Sequence, residues 1–179
     1  MWHESIERLL QKYCDESQIR LSLHTRAHHK YTHSLTWFQL PIIVLSALSG
    51  SMQFLSKSFP VAEDHIIMAT GGVSICVSII SAIMTYLKLG ERSSAHLQAQ
   101  MAWQTFYNSI KHQLSLTAEL REDPQEFLQK TKTAYDRLFE LSPLVGDSFI
   151  SAVRRKVQRT SSAEFQVPCY LNGYQHQSV

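Results

Sequence analysis

The sequence predicts an all-α protein: a two-span transmembrane helical hairpin whose helices extend into a cytoplasmic helical bundle. Two observations lead there. Two long blocks carry no Asp, Glu, Lys or Arg, one between Lys30 and Lys57 and one between Asp64 and Lys88. Each exceeds the roughly 20 apolar residues a helix needs to cross the hydrocarbon core. The flanking segments repeat apolar residues at helical spacing, and no strand pattern is strong enough to alter the all-α reading. Overall charge is 18%, against about 25% in an average soluble domain, and the two blocks account for the deficit.

From Trp2 to Tyr31 the apolar positions Ile6, Leu9, Leu10, Tyr13, Ile19, Leu21 and Leu23 keep an approximate helical period. No Gly or Pro interrupts the chain before Pro41, so one long helix is expected to run from the N-terminus into the first span. That span opens on Trp37 and Phe38, and the second closes on Tyr86 and Lys88, residue types that favour the membrane interface. The first span starts beyond residue 30 and exceeds the roughly 7–15 apolar residues of a signal-peptide core, so an uncleaved anchor is expected. Pro41, early in it, is positioned to begin the regular span or to kink it, and Gly50 and Gly90 are further candidate hinges.

After the second span, Leu97, Met101, Phe106, Tyr107, Ile110 and Leu114 continue a helical spacing. Asp123 and Pro124, with Glu126 behind them, form a helix start, and the next helix is expected over 124–141 with Phe127, Leu128, Thr131, Tyr135, Leu138 and Phe139 inward. Ser142-Pro143 repeats the signal for a last helix to about Val157, and the remainder has no periodicity. The expected layout is an N-terminal cytoplasmic helix (1–34), span one (35–56), an external loop (57–65), span two (66–87), a cytoplasmic bundle (88–159) and an extended tail (160–179).

Orientation follows from Lys and Arg. Arg8, Lys12, Arg20, Arg26 and Lys30 precede span one, Lys57 alone lies between the spans, and the rest follow span two from Lys88 and Arg92 onward. The positive-inside rule then places both termini on the cytoplasmic side. A balance of 17 Lys+Arg against 15 Asp+Glu argues against a nucleic-acid partner.

Within span two, Gly71, Ser74, Ser78, Ser81 and Thr85 share one helical face, and Gln39, Ser46, Ser49, Gly50, Gln53 and Ser56 form a similar stripe in span one. Such stripes serve either as packing seams or, in an oligomer, as the lining of a polar, uncharged pore. Neither span holds an Asp, Glu, Lys or Arg of the kind that proton-coupled transport or voltage sensing needs. His24/His28 and His29/His33 are two pairs one helical turn apart, placed just before the membrane. No third ligand stands at matching spacing, so they read as a juxtamembrane interfacial cluster with pH-sensitive charge and not as a metal site. Glu91 and His96 lie beyond span two, His96 being placed to pair across the bundle. Cys14, Cys76 and Cys169 show no metal spacing, and Cys76, inside span two, is expected to be inert by burial. There is no nucleophile elbow, P-loop or glycine-rich dinucleotide turn, so neither an enzyme nor a cofactor is expected.

The run YTHSLTWFQLPIIVLSALSGSMQF, the segment TYLKLGERSSAHLQAQMAWQTFYNSI and the later YDRLFELSPLV together resemble the SLATT family of two-transmembrane proteins, over about residues 20–150. The resemblance rests on the aromatic and Leu-Pro opening of span one, the LSALSG segment, the helix carrying Glu91 and His96, and the late Ser-Pro. It implies a pore-forming effector of bacterial defence. Two-span proteins of large DNA viruses share the opening of span one and imply a structural role instead. Two readings therefore stand: a homo-oligomeric ion pore in a lipid bilayer, or a scaffolding membrane protein of a viral particle. On the second, the helices and tail 160–179 would bind neighbouring proteins and the membrane would be a host or viral internal one.

Overall fold

A computed structural model describes residues 2–56, 63–151 and 153. Four helices follow in order: α1 Glu4–Ser56, α2 Glu63–Tyr86, α3 Leu89–Ser115 and α4 Pro124–Leu141. Among the described residues there is no strand. The structure is all-α, and α1 is the single long helix the sequence predicts, continuous through Pro41 and Gly50. The tail 160–179 and most of the loop 57–65 lie outside the described residues.

The chain divides into two units, one drawn from Met1–His28 and Ser94–Val179, the other comprising His29–Ser93. In the first, α1, α3 and α4 enclose a core of Leu10, Cys14, Trp103, Phe106, Ile110 and Phe127, with Trp103, Leu10 and Ile110 wholly buried. Burial of each such side chain stabilises the bundle by about 1.5–3 kcal/mol. A smaller cluster of Ile19, Leu23 and Val153 is covered by Val145, Phe149 and Ile150. The C-terminal carbonyls of α3 are satisfied by Arg121, which donates to the Leu114 oxygen at 3.0 Å and the Leu116 oxygen at 2.9 Å while pairing with Glu7.

The start of α4 is as expected: the Asp123 carboxylate accepts from the Gln125 and Glu126 amides, each at 3.1 Å, and Pro124 occupies the first turn. Phe127 and Thr131 are buried and Tyr135 and Leu138 pack on the core, but Phe139 is 54% exposed. In α3 the inward face differs from the expectation. Ala99, Trp103, Phe106 and Ile110 are buried, whereas Met101 points outward.

Two boundaries depart from the sequence reading. Ser142-Pro143 does not open the last helix. Ser142 terminates α4 in an extended conformation, as a residue before proline prefers, and the next helical residues begin at 147, after Gly146. The expected weak point at Gly90 lies inside α3, and the break falls two residues earlier at Lys88, whose φ of 50° is left-handed. The Lys88 amide reaches only the Thr85 carbonyl, at 3.1 Å, and the Lys88 carbonyl then starts α3 by accepting from Arg92 at 3.0 Å.

In the second unit the half-buried positions follow a 3–4 spacing on each span. They are Leu35, Phe38, Ile42, Leu45 and Ser49 on α1, and Ile66, Val73, Val77, Ile80 and Met84 on α2, with the buried Thr70 on the same line. The covered face of each span is thus mainly aliphatic and aromatic. Thr32 and Ser93 join α1 to the first turn of α3 through their hydroxyls at 2.8 Å.

Candidate functional site

The outer surface of the second unit is apolar. Both α1 and α2 carry windows long and apolar enough to cross a membrane, and 0% and 6% of those windows is buried inside the protein. Ile43, Ile75 and Ile79 are each more than half exposed, and Trp37 and Tyr86, at opposite ends of the two spans in sequence, are 67% and 86% exposed. A core helix of a soluble bundle would have those side chains covered.

Ser74, Ser78 and Thr85 of the span-two stripe are exposed and Ser81 is half-buried. Three of these hydroxyls are satisfied within the helix: Ser74 donates to the Thr70 carbonyl at 2.9 Å, Ser78 to the Ser74 carbonyl at 2.8 Å and Thr85 to the Ser81 carbonyl at 2.9 Å. On span one, Gln39, Ser46, Gly50 and Gln53 are exposed and Ser49 is half-buried; the Ser56 side chain lies outside the described residues. A Cβ added at Gly50, Gly71, Gly72 or Gly90 would meet nothing within 4 Å among the described residues. Cys76, expected to be buried, is exposed on α2, because the covered face of that helix runs through Val73 and Val77.

The four histidines that precede the apolar stretch of α1 separate. His29 and His33 are exposed, His33 Nε2 accepting the Trp37 indole N–H at 3.1 Å, and His28 is half-buried. His24 is 2% exposed and meets His96 of α3, 3% exposed, with the two Nδ1 atoms 3.0 Å apart. Glu91 pairs with Lys88 at 3.4 Å on the surface.

The meeting of His24 with His96 follows from helix periodicity. Leu10, Cys14, Ser17, Leu21 and His24 on α1, and Ser93, His96, Gln100, Trp103 and Tyr107 on α3, keep the alternating 3–4 spacing of a helix–helix seam. Burial, the neighbouring His96 and the charge of Arg20 together push His24 down to about 4.

One turn before His24, Arg20 pairs with Glu16 at 3.2 Å and lies over Phe139 at 4.6 Å and Trp103 at 5.2 Å. Tyr135 of α4 donates its hydroxyl to Glu16, and burial followed by that hydrogen bond holds the phenol above its ordinary range. Gln100, one turn beyond His96, has its side-chain oxygen buried with no hydrogen-bond partner among the described residues. Burial also pushes the Cys14 thiol up to about 11, which leaves it a poor nucleophile near neutral pH. Among the described residues, no three His, Cys, Asp or Glu side chains gather to hold a metal ion.

Against family models, curated proteins and solved structures, the chain has no match.

The residue pair missed from sequence is His24–His96. Reading the histidines as neighbours along α1 hid the signal, which was that each falls on the apolar seam of its own helix.

Proposed function

We propose that the chain is an integral membrane protein that crosses the bilayer twice, both termini cytoplasmic, and assembles through its hairpin into an ion-conducting oligomer. The observation that carries this reading is the apolar outer surface of α1 and α2: of the most apolar window in each, 0% and 6% is buried among the described residues. Lipid is the solvent that accepts such a surface without cost. The asymmetry of Lys and Arg about the two spans supports the orientation.

Oligomerisation is supported by the open space over Gly71 and Gly72 and the exposure of Ser74 and Ser78, small residues that no other described part of the chain covers. In a ring, that face would either pack against the next copy or line the axis. Hydroxyls that donate backward along the helix still present oxygen lone pairs to a passing cation. The resemblance to the SLATT family points the same way.

The test is full-length protein in planar bilayers. Discrete conductance is expected, and Ser78→Leu should reduce or abolish it while leaving membrane insertion intact. Absence of current from every oligomeric preparation would overturn the pore. Single-molecule photobleaching of fluorophore-labelled protein in membranes should show several copies per complex, and a monomer at all protein-to-lipid ratios would overturn the assembly.

A further inference from the structure

We propose that the His24–His96 contact is an acid-released latch between α1 and α3. At neutral pH the neutral pair bridges the two helices, and protonation of both rings parts them at this level. The inference concerns the bundle alone and stands whether or not the spans conduct.

The chemistry of the contact sets its response. Two Nδ1 atoms 3.0 Å apart form a hydrogen bond only when one carries a proton and the other offers a lone pair. The two imidazoles must therefore be in opposite tautomers. A first proton on the remaining nitrogen of the donor ring would leave the bridge in place, but burial and the charge of Arg20 oppose it. A second must occupy the accepting Nδ1, and the bridge then becomes two N–H groups and two positive charges in contact. Both rings are almost completely withdrawn from solvent, so water does not screen that repulsion.

The groups around the pair do not favour the charged state. Arg20 on α1 adds a third positive charge. Glu16, the carboxylate of that layer, is engaged by Arg20 and by the Tyr135 hydroxyl of α4. The segment after α4 covers the neighbouring Ile19 and Leu23 with Phe149, Ile150 and Val153, which carry no charge, and its Asp147 is exposed. From α3 the titratable group facing His24 is His96 itself. His28, one turn further along α1, is half-buried.

Once the helices part, both rings reach water and take up protons at ordinary values near 6.5. Opening therefore absorbs about two protons below that pH, and its equilibrium constant should rise steeply as pH falls. The latch predicts about a hundredfold increase per pH unit at the steepest point, and about tenfold with only one of the histidines present.

The experiment is hydrogen exchange read by mass spectrometry on the full chain in lipid nanodiscs, from pH 7.5 to 5, corrected for intrinsic exchange. Residues 20–30 and 93–100 should lose protection on acidification in the wild type, less steeply in His96→Leu, and not at all in the double variant His24→Leu/His96→Leu. Equal pH dependence in the wild type and the double variant, or none in the wild type, would overturn the latch. Should the double variant fail to fold, ¹⁵N resonances of the wild-type imidazoles decide. Opposite tautomers at pH 7.5 and neutral rings until protection is lost support it; a His24 that titrates near 6.5 with protection unchanged overturns it.

Discussion

Trp103 donates its indole N–H to the hydroxyl of Ser142 at 2.8 Å, and that hydroxyl donates in turn to the Leu138 carbonyl at 2.6 Å. One side chain thus ends α4 and satisfies the only polar atom on the side chain of the largest wholly buried residue in the bundle. Ser142→Ala should destabilise the first unit by about 1–3 kcal/mol, because the buried N–H loses its acceptor. Denaturant unfolding in detergent, followed by tryptophan emission, checks this; Ser142→Thr should restore most of the loss.

Gln100 is the opposite case. Its side-chain oxygen is buried without a hydrogen-bond partner among the described residues, on the same seam as His96 and Trp103. Gln100→Met keeps the length and removes the unsatisfied polar group, so stability should rise by roughly 1 kcal/mol. The same unfolding measurement reads it, and a marked loss would mean that Gln100 has a partner.

Lys88 holds a left-handed conformation that costs a residue with a Cβ about 1–2 kcal/mol. Its ion pair with Glu91 is exposed and recovers little of that. Lys88→Gly should raise the midpoint of thermal unfolding and Lys88→Val should lower it, the β-branched residue fitting that conformation worst.

His24 ties stability to pH in one direction. Its ring is pushed down to about 4 in the folded state, against roughly 6.5 when unfolded, so the unfolded state binds more protons between those values. The associated stability is complete above about pH 6.5 and is lost as pH falls toward 4, on the order of 3 kcal/mol in all. Urea unfolding at pH 7.5, 5.5 and 4.5 should show that decline, and His24→Leu should flatten it.

What could be read from the sequence was what a single helix encodes locally. The absence of charge between Lys30 and Lys57 and between Asp64 and Lys88 marked the long apolar stretches of α1 and α2, and Asp123-Pro124 marked the start of α4 to the residue. The errors came where the deciding interaction is distant or unusual. Ser142-Pro143 resembles a helix start, but Ser142 takes the extended conformation a residue before proline prefers and caps the end of α4, its hydroxyl accepting from Trp103, 39 positions earlier. Gly90 looked like the weak point because glycine has a poor helix propensity, yet the break falls at Lys88, which takes a left-handed conformation. Cys76 was expected to be buried because it lies mid-span, whereas burial in a two-helix unit depends on which face is covered. His24 and His96, 72 positions apart, could be paired only by placing both on the seams of their own helices.

The central claim is that the exposed apolar faces of α1 and α2 lie in lipid, and Cys76 tests it most directly because the chain itself does not cover that side chain. The measurement is labelling with a membrane-impermeant maleimide in intact cells, on a background of Cys14→Ala and Cys169→Ala, with Cys76 retained or replaced in turn by single cysteines at His65, Gln11 and Asp136. The account predicts that Cys76 stays unlabelled from either side until detergent is added. It also predicts labelling at position 65 from outside, and at positions 11 and 136 only after permeabilisation. Labelling of Cys76 in the absence of detergent, or identical labelling of all three other positions from one compartment, would contradict it.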